Sequence, residues 1–250
     1  MGTGRSGLSK GLRNTTATVT KLLGDKTIMP YSELDKAIRL ESEVEHTIKI
    51  AYADGANPHR DDWMNENDYK LWKKLQWQYH NNCQRVCYAT DLRLAGYDVE
   101  ALPRTRNNDY ALADATLPKS FLNVYENAAK NFVPVGGDSV SDIVTQLKTL
   151  LPQSGARAIV HNYWNTGGGH AWNIIRKGDK IWAVDGQSNK VFNVADYIKE
   201  SANHSNLFGS THAVSGKHCI NVLVTNKGGG SNDLYTPTNL LKDFVKKRNK

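Results

Sequence analysis

Apolar residues recur at helical spacing over several stretches of the chain and in short continuous runs over others. Spacings of three and four residues predict helices over 32–53, 66–79, 83–96 and 139–150. A weaker helical pattern covers 120–131. Short apolar runs predict strands over 97–102, 156–164, 170–176, 180–185 and 219–225. Most of the predicted helices therefore precede most of the predicted strands.

The helix predicted over 83–96 carries apolar groups on two faces. One face holds Cys83 and Cys87, and the other holds Tyr88 and Leu92. Asn81 or Asn82 would be its N-cap, and Gly96 is typical of a helix end. A helix that is apolar on two faces is predicted to be central and buried.

The helix predicted over 66–79 carries a stripe of large apolar side chains, four of which are aromatic. Because such a stripe is more often core than a ligand platform, we interpret it as core. Its members are Tyr69, Trp72, Leu75, Trp77 and Tyr79.

The two ends of the chain differ in pattern from its middle. Residues 1–28 are polar, and the run 227–232 reads as a flexible glycine-rich linker. After it, Thr236 and Pro237 have the pattern of an N-cap and first residue of a helix. We therefore divide the chain into a helical extension (1–65), a central domain (66–226) and a linker with a basic helix (227–250).

Composition and charge exclude several classes of protein for this chain. The 250 residues are 39% hydrophobic with a net charge of +7, and many of the basic residues lie near the two ends. Basic and aromatic residues do not interleave as in nucleic-acid binders, so we expect no specific nucleic-acid binding. No transmembrane run or classical signal peptide is visible. The sequence predicts a cytoplasmic protein or one delivered into a target cell by another route, such as a carrier or a phage particle.

Three cysteines, an odd and small number, favour a reducing compartment over a disulfide framework. Cys83 stands where a helix begins, and the positive end of a helix favours a thiolate. Cys87 follows one turn later and is interpreted as a packing residue. The alternative is a zinc pair completed by His80 or His170, although pairs of the Cys-x-x-Cys kind are commoner. We expect no metal and no cofactor.

His170 and Asp185 lie on two predicted strands joined by a short turn. If Lys177 and Gly178 form the turn, His170 lies opposite Asp185. If Gly178 and Asp179 form it, His170 lies opposite Gln187, with Asp185 as a diagonal neighbour. Both registers place the three side chains on one face of the hairpin. A carboxylate there can orient the imidazole that activates a thiol.

Further residues are candidates for support. The backbone N–H of Cys83 is a natural oxyanion donor, and side-chain amides of Asn82, Gln78 or Gln187 could assist. Glycines allow close approach of a substrate to the backbone. Gly168 and Gly169 are therefore candidates for the rim of the substrate site, together with the nearby Trp172.

At these residues the chain resembles the papain-fold toxin domains, a glutamine-deamidase-like group of polymorphic and phage-associated toxins. The matching segments are Asn-Cys at 82–83, Leu-Arg-Leu-Ala-Gly-Tyr-Asp-Val-Glu-Ala-Leu-Pro at 92–103, Gly-His-Ala-Trp-Asn at 169–173 and Asp-Gly-Gln at 185–187. The resemblance implies a papain-like α+β fold, in which a central helix carries Cys83 as nucleophile and packs on an antiparallel sheet that carries His170 as base and Asp185 as orienting group. Gly186 stands where the family usually has proline.

Three functions remain open at this point, and a transglutaminase-like acyl transfer is a variant of the chemistry of the first two. The first is a cysteine hydrolase that deamidates a protein glutamine in a target cell, and the second is a papain-like cysteine protease. The third is a non-catalytic binding or phage-structural protein on the same fold. A toxin of this kind could also have a carrier, a phage particle or an immunity protein as partner.

Overall fold

The computed structural model describes residues 22–105, 120–163, 169–205 and 218–248. A sheet of six strands, every neighbouring pair antiparallel, forms the centre in the order β2-β7-β3-β4-β5-β6. A separate pair joins β1 to β8. The strands are β1 (Val99–Ala101), β2 (Val133–Gly137), β3 (Ala156–Tyr163), β4 (Gly169–Lys177), β5 (Lys180–Asp185), β6 (Lys190–Asn193), β7 (His218–Lys227) and β8 (Val245–Lys247).

Seven α-helices surround this sheet in the described part of the chain. They are α1 (Tyr31–Ala37), α2 (Val44–Ile48), α3 (Asp54–Ala56), α4 (Tyr69–His80), α5 (Cys83–Leu94), α6 (Val140–Leu150) and α7 (Val194–Ser205). Within the described residues, no helix is both long and apolar enough to cross a membrane.

The sheet separates two apolar clusters. Alternate residues of β3 and β4 point to opposite faces, so Ile159 and Ala171 pack with α5 while Val160 and Trp172 pack on the other face with α6 and α7. Helix α5 is buried from Arg85 to Leu94, as its two apolar faces predict. The helix that begins with Cys83 is therefore enclosed by the core along most of its length.

The helix predicted over 32–53 is broken into short pieces. The carboxylate of Glu43 accepts hydrogen bonds from the backbone N–H groups of Arg39 and Leu40, at 3.3 and 3.1 Å. This local cap starts a new helical segment instead of continuing α1. The pieces pack through Val44, Ile48 and other apolar residues against the β4–β6 end of the sheet.

The core role predicted for the aromatic stripe of α4 is wrong for two of its members. Tyr69 is 64% exposed and Trp77 is 41% exposed. Rings lie on both sides of this helix, so the ring pattern could not distinguish the face that packs.

The helix predicted after Thr236 does not form. Residues Asn239–Asp243 form a 3₁₀ turn, and the chain then pairs as β8 with β1. Leu241, Phe244 and Val245 are completely or almost completely buried in the cluster around α5. The glycine run that precedes this segment forms a tight turn in which Gly228, Gly229 and Gly230 all have positive φ.

Candidate active site

Cys83 is the first residue of α5 and is partly exposed. The first turn of a helix has N–H groups without carbonyl partners in that helix, and their partial positive charge favours an anion. Cys87, one turn later, is buried and donates its S–H to the carbonyl of Gln84 at 3.2 Å. Burial raises the pKa of the Cys87 thiol well above its usual value. The two cysteines of this helix therefore lie in different environments.

The hairpin of β4 and β5 brings His170 and Asp185 together. Lys177 pairs with Lys180 and Asn173 pairs with Val184, so Gly178 and Asp179 form a two-residue turn. This is the second of the two registers predicted from the sequence. His170 Nε2 lies 3.2 Å from Asp185 Oδ2.

The thiol of Cys83 lies beside this pair. The His170 ring and the backbone N–H of Ala171 both stabilise its thiolate form. Because Nε2 of His170 contacts Asp185, Nδ1 is the ring nitrogen left for the thiol. Helix α5 and strand β4 thus bring a thiol and an imidazole together, and β5 supplies a carboxylate.

Charge sets the proton positions in this group. Burial alone would raise the pKa of the Cys83 thiol, but the hydrogen bond and charge of His170 outweigh it and lower that pKa. Burial would lower the pKa of His170, but Asp185 and Cys83 outweigh it and raise that pKa. Burial would raise the pKa of Asp185, but the charge and hydrogen bond of His170 and the backbone N–H of Ser188 outweigh it and lower that pKa. A thiolate–imidazolium pair beside a carboxylate is the state these shifts favour.

Asp185 is held by three groups besides His170. Its Oδ1 accepts the backbone N–H groups of Gln187 and Ser188, at 3.0 and 3.2 Å. Its Oδ2 accepts the hydroxyl of Tyr197 at 3.0 Å. Tyr197 lies on α7, where its ring packs 4.7 Å from the ring of Trp172. Sequence reasoning missed this tyrosine, because no local pattern connects it to the hairpin.

Gly186 allows the turn after β5 to lie against α5, the helix that begins with Cys83. A Cβ at this position would lie 2.6 Å from Thr90 Oγ1, 2.8 Å from Val86 Cγ1 and 3.2 Å from Ala56 Cβ. The family's usual proline at this position would place even more atoms in the same space. The aim of Asp185 is nevertheless kept, because backbone N–H groups hold its carboxylate.

Two of the three supporting candidates, Asn82 and Gln187, lie in one hydrogen-bond network. Asn82 is fully buried, and its Nδ2 donates to Asn57 Oδ1 at 3.1 Å and to the Leu102 carbonyl at 3.4 Å. Gln187 Nε2 donates to the His80 carbonyl at 2.9 Å. These amides fix the positions of the segments around Cys83. The side-chain amide of Gln78 has no hydrogen-bond partner among the described residues, so it remains a candidate oxyanion donor.

Two of the three rim candidates lie in the described part of the chain. Gly169 is partly exposed, and a Cβ there would lie 2.4 Å from the carbonyl oxygen of Asn162. Trp172 is not at a rim: it is 2% exposed and its Nε1 donates to Asn162 Oδ1 at 3.1 Å. Strand alternation puts it under α7. Gly168 lies outside the described residues.

His161 is a second histidine close to His170. It is 5% exposed, its ring lies 4.8 Å from that of Phe121, and its Cα pairs with that of Ala171 across β3 and β4. Burial, followed by the charge of His170, lowers the pKa of His161 to about 3. It is therefore a neutral group on the Cys83 side of the sheet.

Metal binding is a separate question for a site with two cysteines. Among the described residues, no group of three or more His, Cys, Asp or Glu side chains is placed to hold an ion. The Cys83 thiol and the His170 ring contact each other directly, as an acid–base pair does.

The geometry of this site can now be compared with known families. Residues 81–190 match the family described as papain fold toxin 1, glutamine deamidase. The match confirms the resemblance predicted from the four motifs, and it covers β1, α5 and the β4–β5 hairpin. The helix that carries Cys83 and the antiparallel sheet that carries His170 and Asp185 are thus a papain fold.

No curated protein matches the chain. Among solved structures, the Pseudomonas avirulence protein AvrPphB is similar at 12% identity and a TM-score of 0.30, over 71% of this chain and 89% of that one.

Proposed function

We propose that this protein is a cysteine hydrolase that deamidates a glutamine side chain of a target protein. The observation that carries the proposal is the direct contact of Cys83 with His170 and of His170 with Asp185. The family description, papain fold toxin 1, glutamine deamidase, supports the choice of a glutamine amide as substrate and of a protein in another cell as target. Delivery by a carrier or a phage particle and neutralisation by an immunity protein belong to the same proposal.

The first half of the reaction forms a thioester. The thiolate of Cys83 attacks the carboxamide carbon, and the oxygen gains negative charge next to the start of α5. The backbone N–H of Cys83 and the amide of Gln78 are the candidate donors to that oxygen. The C–N bond then breaks, and the His170 imidazolium gives its proton to the leaving nitrogen, which departs as ammonia.

The second half restores the thiol. Neutral His170 takes a proton from water, and the hydroxide formed attacks the thioester carbon. The C–S bond breaks and leaves a glutamate side chain, while Cys83 regains its pair with His170. Throughout, Asp185 keeps the imidazole in one orientation through Nε2.

The first test measures the alkylation rate of Cys83 by iodoacetamide against pH. Because His170 lowers the pKa of Cys83, we expect rapid alkylation of the parent below the usual thiol range. In His170→Ala, the pH at which alkylation of Cys83 becomes rapid should be higher. Cys87→Ala is the matched control, since Cys87 lies in the same helix with a raised pKa, and it should not change the profile.

The second test follows the product by mass spectrometry with glutamine peptides. Deamidation changes an amide into a carboxylate and leaves the peptide bond intact, whereas a protease would cut the chain. Cys83→Ala should abolish the change, and Cys87→Ala should retain it. Ordinary alkylation of Cys83 that is independent of His170, together with unchanged peptides, would contradict the proposed function.

A further inference from the structure

The outward face of α4 carries rings and positive charges. We define the α4 face as Tyr69, Lys70, Lys73, Lys74 and Trp77, which recur at helical spacing. All five are exposed, whereas Trp72, Leu75, Gln78 and Tyr79 on the opposite side are partly or wholly buried. This side of the helix therefore lies in solvent with two large rings on it.

The charge of the α4 face is of one sign. Residues Tyr69–His80 include three lysines and no carboxylate, and among the described residues none of these lysines forms an ion pair. Lys73 Nζ lies 4.6 Å from the Tyr69 ring centre, and the Arg104 guanidinium lies 5.3 Å from that of Trp77. The nearest acid in the chain, Asp68, is already used as the N-cap and accepts the N–H of Leu71 at 2.9 Å. The cations are thus available to an anionic partner.

The α4 face leads directly to the nucleophile. Helix α4 ends at His80, three residues before Cys83, and the His80 carbonyl accepts Gln187 Nε2 at 2.9 Å. The turn that holds Asp185 is therefore tied to the end of α4. A protein that presents a glutamine to Cys83 would therefore lie close to the C-terminal end of α4, where Trp77 is exposed.

We propose that the α4 face docks an acidic segment of the protein substrate, next to the glutamine that is modified. This inference rests on the proposed function. Exposed rings among cations are typical of the residues that anchor protein interfaces. Tyr69 and Trp77 are eight residues apart, or about 12 Å along the helix. An extended segment of about four residues covers that distance, so it can place acidic groups against the lysines and an apolar side chain against a ring.

The test compares two glutamine peptides that differ only in a neighbouring segment, which is Glu-Leu-Glu-Glu in one and Ser-Leu-Ser-Ser in the other. Binding is measured by fluorescence anisotropy on Cys83→Ala, so docking is read without turnover. We expect the acidic peptide to bind about tenfold more tightly, since three exposed ion pairs supply on the order of 1 to 2 kcal/mol. High salt should remove the difference.

The decisive variant reverses the charge of the face in the Cys83→Ala background: Lys70→Glu, Lys73→Glu and Lys74→Glu together. The matched control is Lys130→Glu, Lys199→Glu and Lys242→Glu, which changes the net charge equally at exposed lysines elsewhere. The ratio of the two peptide affinities should fall about tenfold in the first variant and stay within about twofold in the control. The proposal would be overturned if the affinity ratio fell equally in both variants. It would also be overturned if the Cys83→Ala protein bound the two peptides equally well.

Two results separate this proposal from its competitors. Binding of anionic vesicles or single-stranded RNA that depends on the α4 face, without preference for the acidic peptide, would assign the face to a membrane or to nucleic acid and overturn docking of a protein segment. A different result would contradict the proposed function alone. In that case the protein would prefer the acidic peptide, but it would deamidate no peptide and Cys83 would alkylate like an ordinary thiol.

Discussion

Gly186→Ala adds one methyl group between the Asp185 turn and helix α5. Gly186 is buried, and the new Cβ would lie 2.6 Å from Thr90 Oγ1 and 2.8 Å from Val86 Cγ1. Both distances are below ordinary contact, so the turn or the helix must move. Since the turn supplies the backbone N–H groups that hold Asp185, the movement reaches the carboxylate.

The expected losses affect both stability and rate. Overpacking of a core by one methyl group costs about 1 to 3 kcal/mol of unfolding free energy. A displacement of catalytic groups approaching 1 Å costs about 10²-fold in rate. We therefore expect Gly186→Ala to lower the unfolding free energy by about 2 kcal/mol and kcat/KM by between ten- and a hundredfold.

Thr90→Ala should relieve part of this strain, because Thr90 Oγ1 is the nearest atom to the new methyl group. Thr90 Oγ1 is buried without a hydrogen-bond partner among the described residues, so its removal alone breaks no bond. The double variant should recover about 1 kcal/mol relative to the sum of the single variants.

Urea unfolding and peptide deamidation measure the two losses. Gly178→Ala is the control: Gly178 has φ of 59° and nothing within 4 Å of its Cβ position. Its strain costs about 1 to 2 kcal/mol, at the end of the β4–β5 hairpin opposite His170 and Asp185, so stability should fall while kcat/KM is retained. If Gly186→Ala were as stable and as active as the parent, the close approach of the turn to α5 would be refuted.

Two other substitutions test contacts that join distant parts of the chain. Tyr197→Phe removes the hydroxyl that shares Asp185 Oδ2 with His170, so kcat should fall about tenfold at constant KM. The basic limb of the pH–rate profile should also move to higher pH, since the freed carboxylate holds the imidazolium more strongly. If neither kcat nor the pH of this limb changed, Tyr197 would not position Asp185. Phe244→Ala removes a fully buried ring that lies 5.6 Å from the Tyr88 ring, and should lower the unfolding free energy by about 3 to 5 kcal/mol. Lys242→Ala, at an exposed neighbour, should change it by less than about 0.5 kcal/mol, and equal values for both in urea unfolding would show that this segment does not belong to the core.

The parts of the site that follow local rules could be predicted from the sequence. Helix α5 begins at Cys83 with Asn82 at the N-cap position, as the sequence predicts, although the Asn82 side chain makes no capping hydrogen bond. The shared face of His170 and Asp185 follows from strand alternation and a two-residue turn. In each case the residues that decide the structure are neighbours in the chain.

The parts that depend on distant contacts could not be predicted. The spacing of Leu241, Phe244 and Val245 suits a helix as well as the turn and strand that form, and only the pairing of β8 with β1 distinguishes them. Trp172 follows the same alternation as His170, but whether its side of the sheet is covered depends on α7, which the sequence pattern did not reveal. Tyr197 reaches Asp185 for the same reason.

The pairing of β1 with β8 also sets the order in which the site can be completed. Strand β1 follows shortly after the Cys83 helix, but its partner lies almost 150 residues further along the chain. A ribosome makes the nucleophile early and Phe244 and Val245 late. During that interval the helix lacks part of its apolar surroundings, and the close contact with Gly186 and Asp185 has less support. We therefore expect the contacts that hold Cys83 beside the β4–β5 hairpin to become complete only after β8 has been made and has paired with β1.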